Sequence, residues 1–245
     1  MTQQTTSAAE HERLAGVASW FSSHEGMNGW ISVAGFNELR PWFTGTSCLE
    51  LGPADGVITA QLIECFDRLH AVEGSAEFAD QLRDRYADRP GFSVDAALFE
   101  DFRTDVTFDT IFANHVLEHV IDPVAVLQSA REWIAPGGRL IVGVPNALSI
   151  HRRVAVHMGL LGSPYELNET DHRLGHRRVY DLDTLRADVE AAGWRVEATG
   201  GTLLKVVSNG QAEQWFDESM LQGFLAVGRE MPEACAEVYI VAQAD

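Results

Sequence analysis

From residue 46 onward the chain alternates short apolar runs with stretches whose apolar residues recur three or four apart. SCLEL (47–51), LHAVE (69–73), FSVDA (92–96), FDTIFAN (108–114) and RLIVGVP (139–145) are apolar, rich in β-branched or aromatic residues and too short for helices, so they predict strands. Between them Ile58, Leu62 and Phe66, then Phe78, Leu82 and Tyr86, then Val124, Leu127, Arg131 and Ile134 fall on one side of a helix. Pro90-Gly91 stops the second helix, and Pro136-Gly137-Gly138 predicts a turn ahead of the fifth strand. Further on, DLDTLRADVEAAGW predicts a helix capped by Asp181, with Leu182, Leu185 and Val189 turned inward. WRVEATG (194–200) and EVYIVAQA (237–244) predict two late strands around a helical stretch at about 211–229. Strands that alternate with helices pair in parallel through right-handed crossovers. The expected fold is therefore α/β: a doubly wound, mostly parallel sheet of about seven strands.

Three regions depart from the alternation. Residues 1–7 carry no pattern. Residues 8–22 predict a helix ending in Trp20-Phe21, and the Gly-, Ser- and Asn-rich SSHEGMNGW that follows reads as a mobile loop. Residues 1–45 are thus expected to form a helical cap or lid on a domain spanning 46–245. Residues 146–180 hold four histidines (His151, His157, His172, His176) with little periodicity, an insertion after the fifth strand of a length that usually has a use. Residues 203–236 are expected to line a cavity or to form a subunit contact.

Composition narrows the function. The chain has 245 residues, 46% of them hydrophobic and 22% charged, as in ordinary globular proteins. Its 18 Lys and Arg stand against 36 Asp and Glu, a formal charge of −18. Such a surface repels phosphate backbones, so nucleic acid is not an expected partner. Three well-separated cysteines suit a reducing compartment better than a disulfide framework. The N-terminus is acidic and lacks an apolar core, and no apolar run is long enough for a bilayer. The expectation is a cytoplasmic protein with no membrane partner, a monomer or homodimer.

The chemistry begins at CLELGPADG (48–56). An open α/β sheet binds nucleotide-like ligands at the carboxyl ends of its strands. A pyrophosphate would call for G-x-G-x-x-G leading into a helix. Here the pattern is Glu50-x-Gly52-x-x-x-Gly56, and an acid beside the ligand suits a cation better. This disfavours a nicotinamide-dependent oxidoreductase, the competing enzyme class for this architecture. The motif resembles the first motif of the class I S-adenosylmethionine-dependent methyltransferases, and the resemblance continues in order. Glu73 ends the second strand, FDTIFANHVLEHVIDP (108–123) is similar to the family's fourth-strand motif, and IAPGGRLIVGVPN (134–146) to its fifth. It spans about residues 46–200 and implies a Rossmann-like fold, S-adenosyl-L-methionine as cofactor and S-adenosyl-L-homocysteine as product. Carried over, Glu50, Gly52, Pro53, Ala54 and Gly56 wrap the amino-acid part of the cofactor. Glu73, with Gly74 beside it, accepts from the ribose. Ala97, Leu98 and Phe99 flank the adenine, and Asn114, His115 and Val116 meet the methionine portion.

Catalytic candidates are His119, in the widespread HVLEH motif, and His176, in TDHRLGHRRVY (170–180). An imidazole titrates near neutrality and can take a proton from an attacking hydroxyl. For the acceptor, His172 and Arg173, with Arg177 and Arg178 as further anion-binding cations, lie in the insertion. Asn146 ends the fifth strand, and Met27, Asn28 and Trp30 fall in the N-terminal cap. No metal site is assigned. His115, Glu118 and His119 at i, i+3 and i+4 keep a metal-assisted alternative open, because small-RNA 3′-terminal methyltransferases resemble this arrangement. The expected function is methyl transfer to a small-molecule acceptor, to oxygen rather than nitrogen or carbon, in specialised biosynthesis; a non-catalytic S-adenosylmethionine-binding protein is the other alternative.

Overall fold

The run Ser47–Leu51 (β1) is buried at every position, as a strand covered on both faces must be. In the computed structural model, which describes residues 7–22 and 26–244, it lies at the centre of one seven-stranded sheet. The other strands are Arg68–Glu73 (β2), Phe92–Ala96 (β3), Phe108–Asn114 (β4), Ile134–Pro145 (β5), Trp194–Thr202 (β6) and Glu237–Ala244 (β7). Their order is β3-β2-β1-β4-β5-β7-β6, with β7 antiparallel to both neighbours and β1 to β5 parallel where they pair. The α/β, doubly wound expectation is met. Residues 1–6 and Ser23–Glu25 lie outside the described residues, and with them most of the patternless 1–7 and the middle of SSHEGMNGW.

The helices in chain order are Ser7–Ala18 (α1), Gly26–Leu39 (α2), Thr59–Leu62 (α3), Ala76–Arg85 (α4), Pro123–Trp133 (α5), Ile150–His157 (α6), Glu169–Leu174 (α7), Leu182–Ala191 (α8), Asn209–Trp215 (α9) and Glu218–Glu230 (α10). Alternate strand residues face opposite layers. Leu49, Leu51, Ile111 and Val142 pack with Val126 and Leu127 of α5 and Leu185 and Val189 of α8. Cys48, Phe112, Ile141 and Val241 meet Phe36 and Leu39 of α2 with Leu62 and Phe66 around α3. Asp181 caps α8 as its sequence predicts, accepting from Thr184 N.

Three expectations are corrected. Residues 26–30, expected to continue the SSHEGMNGW loop, instead open the helix α2. Met27, Gly29, Ile31, Ala34, Gly35, Phe36 and Leu39 of α2 are all buried, because one side meets the sheet and the other meets α9 and α10. A helix buried nearly all round has no amphipathic stripe to read. Second, Pro136-Gly137-Gly138 sits inside β5: Phe108 pairs with Ile134 and Thr110 with Arg139, so three extra residues bulge out of the ladder. Third, the helical stretch at 211–229 is two helices, parted where Asp217 accepts from Met220 N and caps α10.

Candidate active site

Six of the seven strands end, and β7 begins, on one edge of the sheet, and a cavity of about 880 Å³ opens there. Its floor starts at the turn after β1. Gly52 and Gly56 take φ of +68° and +85°, which other residues reach only with strain. A Cβ on Gly52 would stand 3.1 Å from Val116, and one on Gly56 would stand 2.4 Å from Leu82. Ala54 between them is also left-handed, at +49°. The turn is held by Glu73, whose Oε2 accepts from Ala54 N (3.0 Å) and whose Oε1 accepts from Ser75 N (2.7 Å).

Glu50 and Glu73 line the cavity and are both buried. Burial pushes the Glu50 carboxyl up to about 8; the neighbouring Thr59 hydroxyl opposes this and the Glu73 charge adds to it. Burial likewise raises Glu73, against the backbone N–H groups that donate to it. One Glu50 oxygen, Oε2, has no hydrogen-bond partner among the described residues.

Beyond β4 the chain turns through His115, a non-glycine residue at φ +57°. Its Nε2 lies 2.9 Å from Glu237 and its Nδ1 3.2 Å from Glu118. Burial alone would lower the imidazole, but the two carboxylates raise it well above its ordinary value, so it is the cation of a three-membered cluster. Burial would raise fully enclosed Glu118, but the His115 cation holds it down at about 2. The 3.2 Å contact is an ion pair without hydrogen-bond geometry, which leaves both Glu118 oxygens without a hydrogen bond among the described residues.

His119 and His176 meet edge-to-face, ring centroids 4.7 Å apart. Burial lowers His119 to about 4, so it is neutral at pH 7. His176 arrives through Gly175, which ends α7 at φ +82° and turns the chain back so that His176 N donates to Asp171 O. The His176 Nδ1 lies 3.0 Å from Asp171 Oδ1, and Asp171 is itself paired with Arg152 at 3.1 Å.

The cavity brings together Glu50, Gly52, Pro53, Ala54, Glu73 and Gly74 on one side, and Ala97, Leu98 and Phe99 beside them. Asn114, His115, Val116, His119 and His176 line it too, with Asn28, Asn146, Trp20 and Phe21. Several predicted site residues fall elsewhere. Gly56 lies behind the turn against Leu82. Met27 packs with Leu203, Ala212 and Leu221, and Trp30 donates from Nε1 to Glu218, since α2 turns both away from the cavity. His172 is exposed on the outer side of α7, and the Arg173 guanidinium stacks 3.7 Å above the Trp20 ring. Arg177 donates to His119 O and to Glu10, and Arg178 donates to the carbonyls of Leu117, Val120 and Ile121, so both brace the loop and do not face an acceptor. Asn146 spends its side chain on the carbonyls of Glu233 and Cys235 and on Leu148 N. Residues missed from sequence are Asp171, Glu237 and Lys205. The last has a visible signal: a lone cation inside the apolar run LLKVV.

A family model described as "Methyltransferase domain" matches residues 25–199. The chain belongs to the methyltransferase-domain family. It is an S-adenosylmethionine-dependent methyltransferase of the class I fold. An "Uncharacterized 37.1 kDa protein in transposon TN4556" of Streptomyces fradiae is 32% identical over 116 residues, which cover 44% of this methyltransferase but only 32% of that protein. The "Ubiquinone biosynthesis O-methyltransferase" of Xylella fastidiosa (strain 9a5c) is 26% identical over 183 residues, covering 73% of this chain and 69% of the relative. Among solved structures, a DhpI-SAM-HEP complex superposes with a TM-score of 0.64 at 18% identity, covering 99% of this chain and 100% of that one. The seven-stranded sheet with its flanking helices is therefore that of the class I methyltransferase fold. Among the described residues no helix is long and apolar enough to cross a membrane.

Proposed function

We propose that this methyltransferase holds its cofactor over the ends of β1, β2 and β4 and transfers the methyl group to an oxygen of a small-molecule acceptor lying over β5, β7 and β6. The single observation that carries this reading is one continuous cavity whose wall takes in Glu50 and Glu73 together with His119 and His176. Glu73 receives the ribose hydroxyls with the lone pairs that Ala54 and Ser75 leave free. Glu50 faces the cationic methionine end. The acceptor oxygen attacks the methyl carbon in line, the C–O bond forms, and the C–S bond breaks to leave S-adenosylhomocysteine. The hydroxyl proton passes to His176, whose Nδ1 is committed to Asp171 and whose Nε2 is thereby presented as the acceptor. His119, neutral and a weak base, holds the edge of that ring. A ubiquinone-biosynthesis O-methyltransferase among the relatives favours oxygen as the acceptor atom and a biosynthetic setting. Residues 7–18 and 26–39 serve as the cap over this cavity, consistent with the lining contributed by Leu14, Val17, Asn28 and Ile31.

With labelled S-adenosylmethionine and a panel of hydroxylated acids and phenols, the His176→Ala variant is expected to lose roughly 10²–10⁴ in turnover. Its affinity for S-adenosylhomocysteine should be unchanged. Full turnover in the variant would remove the assigned base, and a wild-type protein unable to bind S-adenosylhomocysteine would remove the whole reading.

One observation favours a metal-assisted variant of the reaction. Glu118, His119 and His176 offer one ligand atom each, all within 4.8 Å of one another, and Glu118 brings two buried oxygens without hydrogen bonds. The set differs from His115, Glu118 and His119, because both nitrogens of His115 are taken by carboxylates. Two imidazoles and a carboxylate fit a borderline divalent cation, and the Asp171–His176 contact is the outer carboxylate that such ligands commonly have. An ion there would polarise the acceptor oxygen and lower its pKa. On this reading Zn²⁺ or Mn²⁺ added to the chelator-treated protein raises its melting temperature, and Glu118→Gln abolishes the rise. A flat response in the wild type would dismiss the metal.

A further inference from the structure

Resting on the cavity assignment above, we infer that Lys205 is the receptor for a carboxylate group on the methyl acceptor, so that the enzyme selects small molecules carrying an acid as well as the atom to be methylated. Lys205 follows β6, which stands four strands from β1 in the sheet order. In the sheet order β6 lies on the side of β4 away from β1, β2 and β3. Its residue is only 9% exposed, yet it lines the cavity.

The backbone is built to deliver it there. Leu203 takes a left-handed φ of +59°, an outlier for a bulky residue. Hydrogen bonds from Ala236 N to Leu203 O (2.8 Å) and from Leu204 N to Phe224 O (3.2 Å) hold the turn. An ammonium has three N–H donors. One goes to Asn209 Oδ1 at 2.5 Å, and Asn209 is fixed in turn by donating to Asn28 Oδ1 at 2.6 Å.

What Lys205 lacks is a counter-ion. Of the other cations on the cavity wall, Arg13 pairs with Glu10, Arg152 with Asp171, and His115 with Glu118 and Glu237. Among the described residues Lys205 makes no ion pair. Glu237 is the carboxylate whose charge reaches it most strongly, and that group is bound 2.9 Å from His115. Arg152 does not compete, since its donors go to Pro164 O, Asp171 and Glu166 O. A buried, unpaired charge is costly, and burial has accordingly lowered Lys205 to about 8. Beside it His151 has a buried Nδ1 without a hydrogen-bond partner among the described residues. An incoming carboxylate would answer both groups at once.

The test uses protein saturated with S-adenosylhomocysteine and calorimetric titration of glycolate, 4-hydroxyphenylacetate and 3,4-dihydroxybenzoate, each beside its primary amide. In the wild type at least one acid should bind ten-fold or more tightly than its amide. Lys205→Met should erase that preference and Lys205→Arg should retain part of it, with S-adenosylhomocysteine affinity and melting temperature near wild type in both. No acid preferred over its amide, binding of none of the probes, or a preference that persists in Lys205→Met overturns the inference. So does a ten-fold loss of S-adenosylhomocysteine affinity in Lys205→Met, which would assign the lysine to the cofactor's own carboxylate. Failure of the wild type to bind S-adenosylhomocysteine is the distinct result that removes the cavity assignment itself.

Discussion

The Glu73→Ala variant is expected to bind S-adenosylhomocysteine more weakly than wild type by about 2–4 kcal/mol, roughly 30- to 1,000-fold, and to melt at a lower temperature. Two losses combine. The first is the pair of acceptor oxygens that the ribose hydroxyls would meet. The second is internal, because Glu73 accepts from Ala54 N and Ser75 N, and truncation leaves those two enclosed donors unpaired. Ala54 sits at φ +49°, a conformation that costs about 1 kcal/mol outside glycine. Its bond to Glu73 offsets that cost, so without Glu73 the turn that shapes the amino-acid end of the site also relaxes. Glu73→Asp separates the parts: the shorter carboxylate keeps the charge but cannot span both donors, and should fall between the two. Calorimetry on the three proteins, with thermal melts, checks this, and equal affinity in Glu73→Ala would place the ribose elsewhere.

The sheet and the turn after β1 were readable because their signals are local. A strand buried on both faces is an unbroken apolar run, and Gly52 and Gly56 mark a turn whose backbone other residues resist. Glu73 sits at a fixed offset on the next strand, so residue type and order were enough. The acceptor end was poorly readable for the opposite reason. Met27 and Trp30 were misplaced because α2 is buried nearly all round, and its facing cannot be read without the helices α9 and α10 that pack on it. In sequence terms both His172 and His176 are expected at the acceptor, His176 as a catalytic base. One αL residue, Gly175, separates them by sending the first outward and the second back onto Asp171. Arg177 and Arg178 read as anion-binding cations, yet their guanidinium groups donate to Glu10 and to backbone carbonyls of the loop 117–121. Glu237 and Lys205 join the site from the far side of the chain, 122 and 90 residues after His115, and no local pattern announces so distant a meeting.

Glu50→Gln should move stability and affinity in opposite directions. The Glu50 carboxyl is held at about 8 by burial, against an ordinary value of 4.5. The native state therefore keeps a proton that the unfolded chain loses above pH 4.5. The sign follows from linkage: an acid raised on folding makes the native state progressively less stable as pH climbs from about 4.5 to 8, with no further change beyond, where both states are ionised. Glutamine cannot ionise, so the variant should lose this slope. Relative to wild type it gains roughly 1–3 kcal/mol at pH 8, a fraction of the full linkage, and gains nothing below about pH 4.5. Binding runs the other way. The cofactor's methionine end is cationic and calls for the ionised carboxylate, so below pH 8 the wild type must release a proton on taking up its ligand. Calorimetric titrations of S-adenosylmethionine at pH 7 in two buffers of different ionisation enthalpy should register that proton. The same titrations on Glu50→Gln should register its absence, with affinity reduced about ten-fold or more. A variant that keeps the wild-type stability slope would mean that Glu50 is already ionised in the empty protein. Equal proton release in both proteins would mean that the cation is answered by another group.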